Sequence, residues 1–297
     1  MKKIIFTITI LLLIFNVQTV FAHPGEPPQP HDLWTSWNWD PIVLIPLILL
    51  AWMQINNQSK LKRRNDQKLY KRNISFISGW IALFIALVSP LDAISEALFS
   101  IHMIQHTLLL VVAPPLLVLG MSTSDLSPSL QRFLFGWMSW FKPIWRILLE
   151  PWMAWGLNVL TLWIWHVPAF YQSALENKNL HILEHFSFVI TSLLFWYVIT
   201  RPRMRLGQHD PGILSLFTMA MQCGFLGALI TFAPTPWYSA YASTTQAWGL
   251  SSLEDQQLAG AIMWVPMGVI YTVAALIMFF NHLTWIEKRS KLQEEKN

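Results

Sequence analysis

Two pairs of histidines spaced four residues apart, His102/His106 and His181/His185, together with His166, stand at the ends of long apolar runs in this chain of 297 residues. In the stretch "SIHMIQHTLLLVVAPPLLVLG", residues 100–120, the two imidazoles are the only ionisable side chains. Imidazole is costly to bury in hydrocarbon unless something binds it. Residues four apart share one face of a helix, about 6 Å apart along its axis, so each pair can turn two ring nitrogens to one point. The 9 histidines of the chain, scattered at random, would give roughly a quarter of one such pair, and two are present. Neutral imidazole binds copper, zinc, nickel and iron, and the pattern points to metal or haem ligation by His102, His106, His166, His181 and His185.

Other side chains are weaker candidates. Asp92, Glu96, Glu184 and Asp255 are placed to orient the rings through their second nitrogens. Met103, Met219, Met221, Met263, Met267 and Cys223 offer soft donors for Cu(I), although sulfur in apolar helices usually packs. His23 and His31 lie in a Pro-rich, solvated N-terminal stretch, and His209 and His282 fall on the opposite side from the five. Cys223 is the only cysteine, which excludes an intrachain disulfide and a CxxC motif.

The elements that must hold these residues follow from composition. Hydrophobic residues make up 54% of the chain, charged residues 12%, and there are 17 Trp, a profile of a polytopic membrane protein. Residues 1–22 read as a signal peptide: Lys2 and Lys3, an apolar core and the exit Val20-Phe21-Ala22. Seven apolar runs of about spanning length follow, at 41–55, 74–89, 101–120, 152–167, 182–200, 213–233 and 258–281. Apart from Lys2, Lys3 and the outer Lys178, every Lys and Arg then falls on a cytoplasmic segment if the N-terminus is outside. The expected architecture is therefore all-α, with seven transmembrane helices after a signal peptide, the N-terminus outside and the C-terminus cytoplasmic. Its parts are 23–40, an extracytoplasmic Pro/Trp-rich segment; 41–285, the seven-helix domain; and 286–297, a cytoplasmic basic tail. Trp residues at both ends of the spans fit an aromatic belt, and the scattered basic residues make no nucleic-acid surface.

In this topology all five histidines lie at the outer face, where helix ends give access from solvent. The 234–257 loop could cover that face, and Pro114-Pro115 should kink the third span below the site. The 121–150 stretch reads as interfacial.

The segments "SPLDAISEALFSIHMIQHTLLLVVAPPLLVLG", "WIWHVPAFYQSALENKNLHILEH" and "DQQLAGAIMWVPMGVIYTVAALIMFF" resemble the multi-spanning CtaG family of cytochrome c oxidase assembly factors. The resemblance runs over roughly residues 35–285. It implies a seven-span, non-enzymatic protein of the bacterial cytoplasmic membrane that helps deliver copper to the catalytic subunit of a haem-copper oxidase, its partner in the lipid bilayer. The five histidines fall within the matching segments, while their ligand roles rest on depth and spacing. Three rival readings remain. One is a haem protein with axial histidines from facing helices. Another is a membrane metallopeptidase built on "HILEH", with Glu184 as base. The third is a metal-free scaffold for oxidase assembly.

Overall fold

The computed structural model describes residues 29–63, 69–121, 142–200 and 210–295. The expected signal peptide lies outside these residues, as do His23, His209 and most of the 121–150 stretch. Among the described residues the chain is all-helical. Four helices are long and apolar enough to cross a membrane: α4 (Phe99–Gly120), α8 (Lys178–Ile199), α9 (Asp210–Thr231) and α10 (Ser252–Glu294). The remaining three apolar runs are also helical, as α1 (Pro41–Arg63), α2 (Leu69–Leu87) and α6 (Pro151–His166). Short helices α3 (Pro90–Ser95), α5 (Lys142–Leu148) and α7 (Pro168–Glu176) link them. α10 continues without a break to Glu294, into the tail expected beyond residue 285.

Two apolar cores share α4 as their common wall. One joins α1, α2 and the second half of α4 through Leu44, Leu47, Phe76, Leu83, Leu109 and Leu117. The other gathers the first half of α4 with α6, α8, α9 and α10 through Phe99, Met103, Leu162, Phe188, Met219 and Met263. Small residues let backbones touch where lipid supplies no hydrophobic drive. A Cβ on Gly227 would lie 2.8 Å from the Gly260 carbonyl oxygen, and one on Gly260 would strike Thr231.

The kink expected in the third span takes a definite form. Pro114 has no N–H to give the carbonyl four residues back, and residues 108–112 widen into a π turn just before it. The freed Leu110 oxygen accepts instead from α8, at 2.5 Å from Ser192 Oγ and 3.3 Å from Trp196 Nε1. A backbone group that hydrocarbon would leave unpaired thus becomes a bond between the two helices that carry the histidine pairs.

Each of these helices has its start fixed. Asn177 caps α8 by accepting from the N–H groups of Asn179 and Leu180. Ser251 and Glu254 close a reciprocal capping box on α10. At α4 the capping position holds Leu98, which has no acceptor, and the fully buried Asp255 of α10 replaces it. Its oxygens accept from Phe99 N at 2.7 Å, Ser100 N at 3.2 Å and Ser100 Oγ at 2.5 Å.

Candidate metal centre

α4 delivers His102 and His106 one turn apart on its inward face, and α8 delivers His185 and Glu184 against them. One donor atom from each of these four groups lies within 4.8 Å of all the others. Donors around one ion held at about 2 Å sit about 3.3 Å apart. The widest pair would have to approach by about 1.5 Å to reach that spacing. α6 ends at His166 because Pro168 disfavours helix at Val167, whose ψ is 127°. This stop sets the His166 ring 5.5 Å from that of His106. The His181 ring lies 4.2 Å from His185 and 5.4 Å from His102. All five imidazoles therefore join in one cluster, with His166 and His181 flanking the tighter set.

The cluster is more enclosed than an open helix-end site. His102, His106 and Glu184 are 0% exposed, His166 3% and His185 7%. The cover is the 234–251 segment, which is tied down at several points. Tyr238 Oη donates to the His166 carbonyl at 2.9 Å, Tyr241 Oη to Ser95 O at 3.0 Å and Thr244 Oγ1 to Ala97 O at 2.7 Å. Burial also raises the Tyr238 and Tyr241 hydroxyls above the usual phenol range, so both remain protonated donors at neutral pH.

The hydrogen bonds determine which ring nitrogens are free. His166 Nδ1 lies 2.7 Å from the Leu162 carbonyl, which can only accept; its proton is therefore on Nδ1 and its Nε2 carries a lone pair. His102 Nδ1 lies 2.8 Å from Tyr171 Oη and 3.1 Å from Tyr241 Oη, and the two hydroxyls are 2.7 Å apart. One proton chain strands no donor: His102 Nδ1–H to Tyr171, Tyr171 to Tyr241, and Tyr241 to Ser95 O. His102 Nε2 is then an open donor atom facing the cluster. His106 Nε2 is 3.4 Å from Glu184 Oε1. Buried and without a hydrogen-bond partner are His102 Nε2, both His106 nitrogens, His166 Nε2, His181 Nε2, His185 Nε2 and both Glu184 oxygens. One His106 nitrogen keeps its proton; the other unpaired atoms are lone-pair donors, and so many of them buried together have the chemistry of a cation site.

The carboxylates expected to orient the rings are used differently. Asp255 caps α4. Asp92 accepts from Asn38 Nδ2 at 2.7 Å and Gln105 Nε2 at 2.6 Å. Glu184 stands among the donors. The orienting role falls to Tyr171, Tyr241 and the Leu162 carbonyl. Tyr171 follows His166 closely across Pro168, whereas nothing in the spacing of Tyr241 announces it. Of the soft candidates, Met103, Met219, Met263, Met267 and Cys223 are fully buried core residues and Met221 is exposed.

Residues 50–285 match the model of the cytochrome c oxidase caa3 assembly factor family. The chain belongs to this family. Among relatives of this chain, uncharacterised proteins of Mycobacterium bovis and Mycobacterium leprae are 27% and 24% identical to it. Each similarity covers 85% of this chain. The chain spans about two-fifths of the length of those relatives, 40% and 41%. No solved structure matches.

Proposed function

We propose that this chain is a cytochrome c oxidase assembly factor that holds a copper ion in its imidazole cluster and passes it to an oxidase subunit in the membrane. The observation that carries the reading is the convergence of donor atoms from His102, His106, His185 and Glu184 within 4.8 Å, all buried. Three nitrogens and a carboxylate oxygen suit copper, zinc or iron, and among these the family resemblance points to copper. The ion is cargo: His102, His106 and His185 hold it, Glu184 offsets its charge, and His166 supplies a flanking nitrogen. Tyr171 and Tyr241 keep the His102 proton on Nδ1. No reaction is required of the chain.

The same reading places it in a bacterial cytoplasmic membrane. Seven helices cross after a signal peptide, the N-terminal segment that follows it is outside, and the cluster is at the outer ends of α4, α6 and α8. The test is the metal content of detergent-purified full-length protein after exposure to copper, wild type beside His102→Ala/His106→Ala, together with the copper content of the oxidase in cells carrying each. Copper bound by wild type and lost with the double substitution, alongside copper-poor oxidase, is the expected result. Copper-free wild type, or normal oxidase loading with the double variant, would leave a metal-free scaffold as the function.

A further inference from the structure

His181 stands outside the set that closes on one point, yet it touches that set. Its ring centroid is 4.2 Å from that of His185 and 5.4 Å from that of His102. Its Nε2 is buried and unpartnered, while the residue as a whole is partly exposed. His102, His106 and Glu184, by contrast, are closed off completely. Among the five histidines it is the one that faces both the surroundings and the holding ligands.

This position is not that of a fraying helix end. The His181 N–H donates to the Asn177 carbonyl at 3.0 Å, within the turn that Asn177 caps. Lys178, one residue beyond that cap, forms an ion pair with Asp40 at 2.6 Å, which ties the start of α8 to the start of α1. His181 and His185 lie one helical turn apart, so an ion can be bonded to both before it is bonded to anything deeper.

Resting on the copper reading, we propose that His181 is the exchange ligand of the site. An entering ion is taken by His181 and His185. It moves inward as nitrogens from His102 and His106 replace that of His181, with His185 bonded throughout. Two metal–nitrogen bonds form for the one that breaks, so the ion passes from two imidazoles to three; it keeps its oxidation state, and release runs the same steps in reverse. Such a ligand adds little to how much metal is held and much to how fast it is exchanged.

The experiment loads the full-length protein in detergent with Cu(I), mixes it with excess bathocuproine disulfonate and follows the coloured copper complex in a stopped-flow instrument. His181→Ala is expected to hold as much copper as wild type and to release it about tenfold more slowly. His181→Met, which returns a soft ligand at the same place, restores the rate. Release from His181→Ala at the wild-type rate would overturn the proposal. So would a lower copper content in that variant, which would make His181 a holding ligand, or a Met variant as slow as the Ala one. Wild type that binds no copper would overturn the copper reading itself, whereas normal loading with an unchanged rate removes the exchange step alone.

Discussion

Two interior regions of this molecule are equally buried and are built on opposite terms. Where α9 meets α10, Gly227 and Gly260 bring the backbones together, and Met219, Cys223, Met263 and Met267 line the core beside them. Where α4 meets α8, the same depth of burial is given to His102, His106, His185 and Glu184, whose facing atoms lack hydrogen bonds. The first region needs nothing but packing to explain it. In the second, each unpaired buried polar group costs about 1–3 kcal/mol, and packing gives no return. Within a single apolar chain, the place where the folding rules are broken is where function is to be sought.

The comparison is broken most severely by making the second region resemble the first. His106→Leu with Glu184→Met fills the site with apolar side chains; bound copper falls to background, while the metal-free protein melts at or above the wild-type temperature. A large drop in melting temperature would show that the cluster holds the fold together. Tyr241→Phe leaves the ligands in place and removes the hydroxyl that completes the His102 proton chain. Copper affinity is then expected to fall by about 10–100-fold, measured by competition with a chelator, with full occupancy still reached at saturation. Gly260→Leu acts on the other region: overpacking against Thr231 and Gly227 should cost about 3 kcal/mol or less and lower the melting temperature. Copper content per folded molecule should stay unchanged.

The smallest effect separates an ordinary half-buried acid from the site. Desolvation raises the Asp92 carboxyl to about 7 from its usual 3.8, against the hydrogen bonds from Asn38 and Gln105. Between those values the folded chain holds a proton that the unfolded chain has lost, so this group's contribution to stability is greatest below that window and falls as pH rises through it. The melting temperature should decline between about pH 4 and pH 7, and Asp92→Asn should lose that part of the slope whatever its absolute stability. An unchanged slope in the variant would assign the decline to other groups.

Much of the fold was legible because hydrocarbon imposes simple rules. Each apolar run that lies within the described residues is helical, and Pro114 disturbs the helix where its missing N–H requires. The joining of the five imidazoles could be anticipated as well, since a spacing of four and a shared depth are local properties. What escaped was set by long-range contact. Asp255 caps a helix more than a hundred and fifty residues away, and Tyr241 reaches His102 from a loop whose sequence carries no periodic signal. The 234–257 loop could be read as a cover, but how fully it closes the helix ends rests on contacts such as that of Tyr238 with the His166 carbonyl, which no local pattern announces.

The Leu110 carbonyl has a mechanical consequence. Ser192 and Trp196 rivet α4 to α8 about one helical turn below His106, inside the region where water cannot compete for the joint. The two helices are thus shears with a fixed pin, and their histidine pairs are the blades. The spacing between the pairs can change only by splaying of the ends above the pin, which are also the ends that the 234–251 segment straps shut. A proline that would ordinarily weaken a helix here supplies the fixed point that joins the two helices below the cluster.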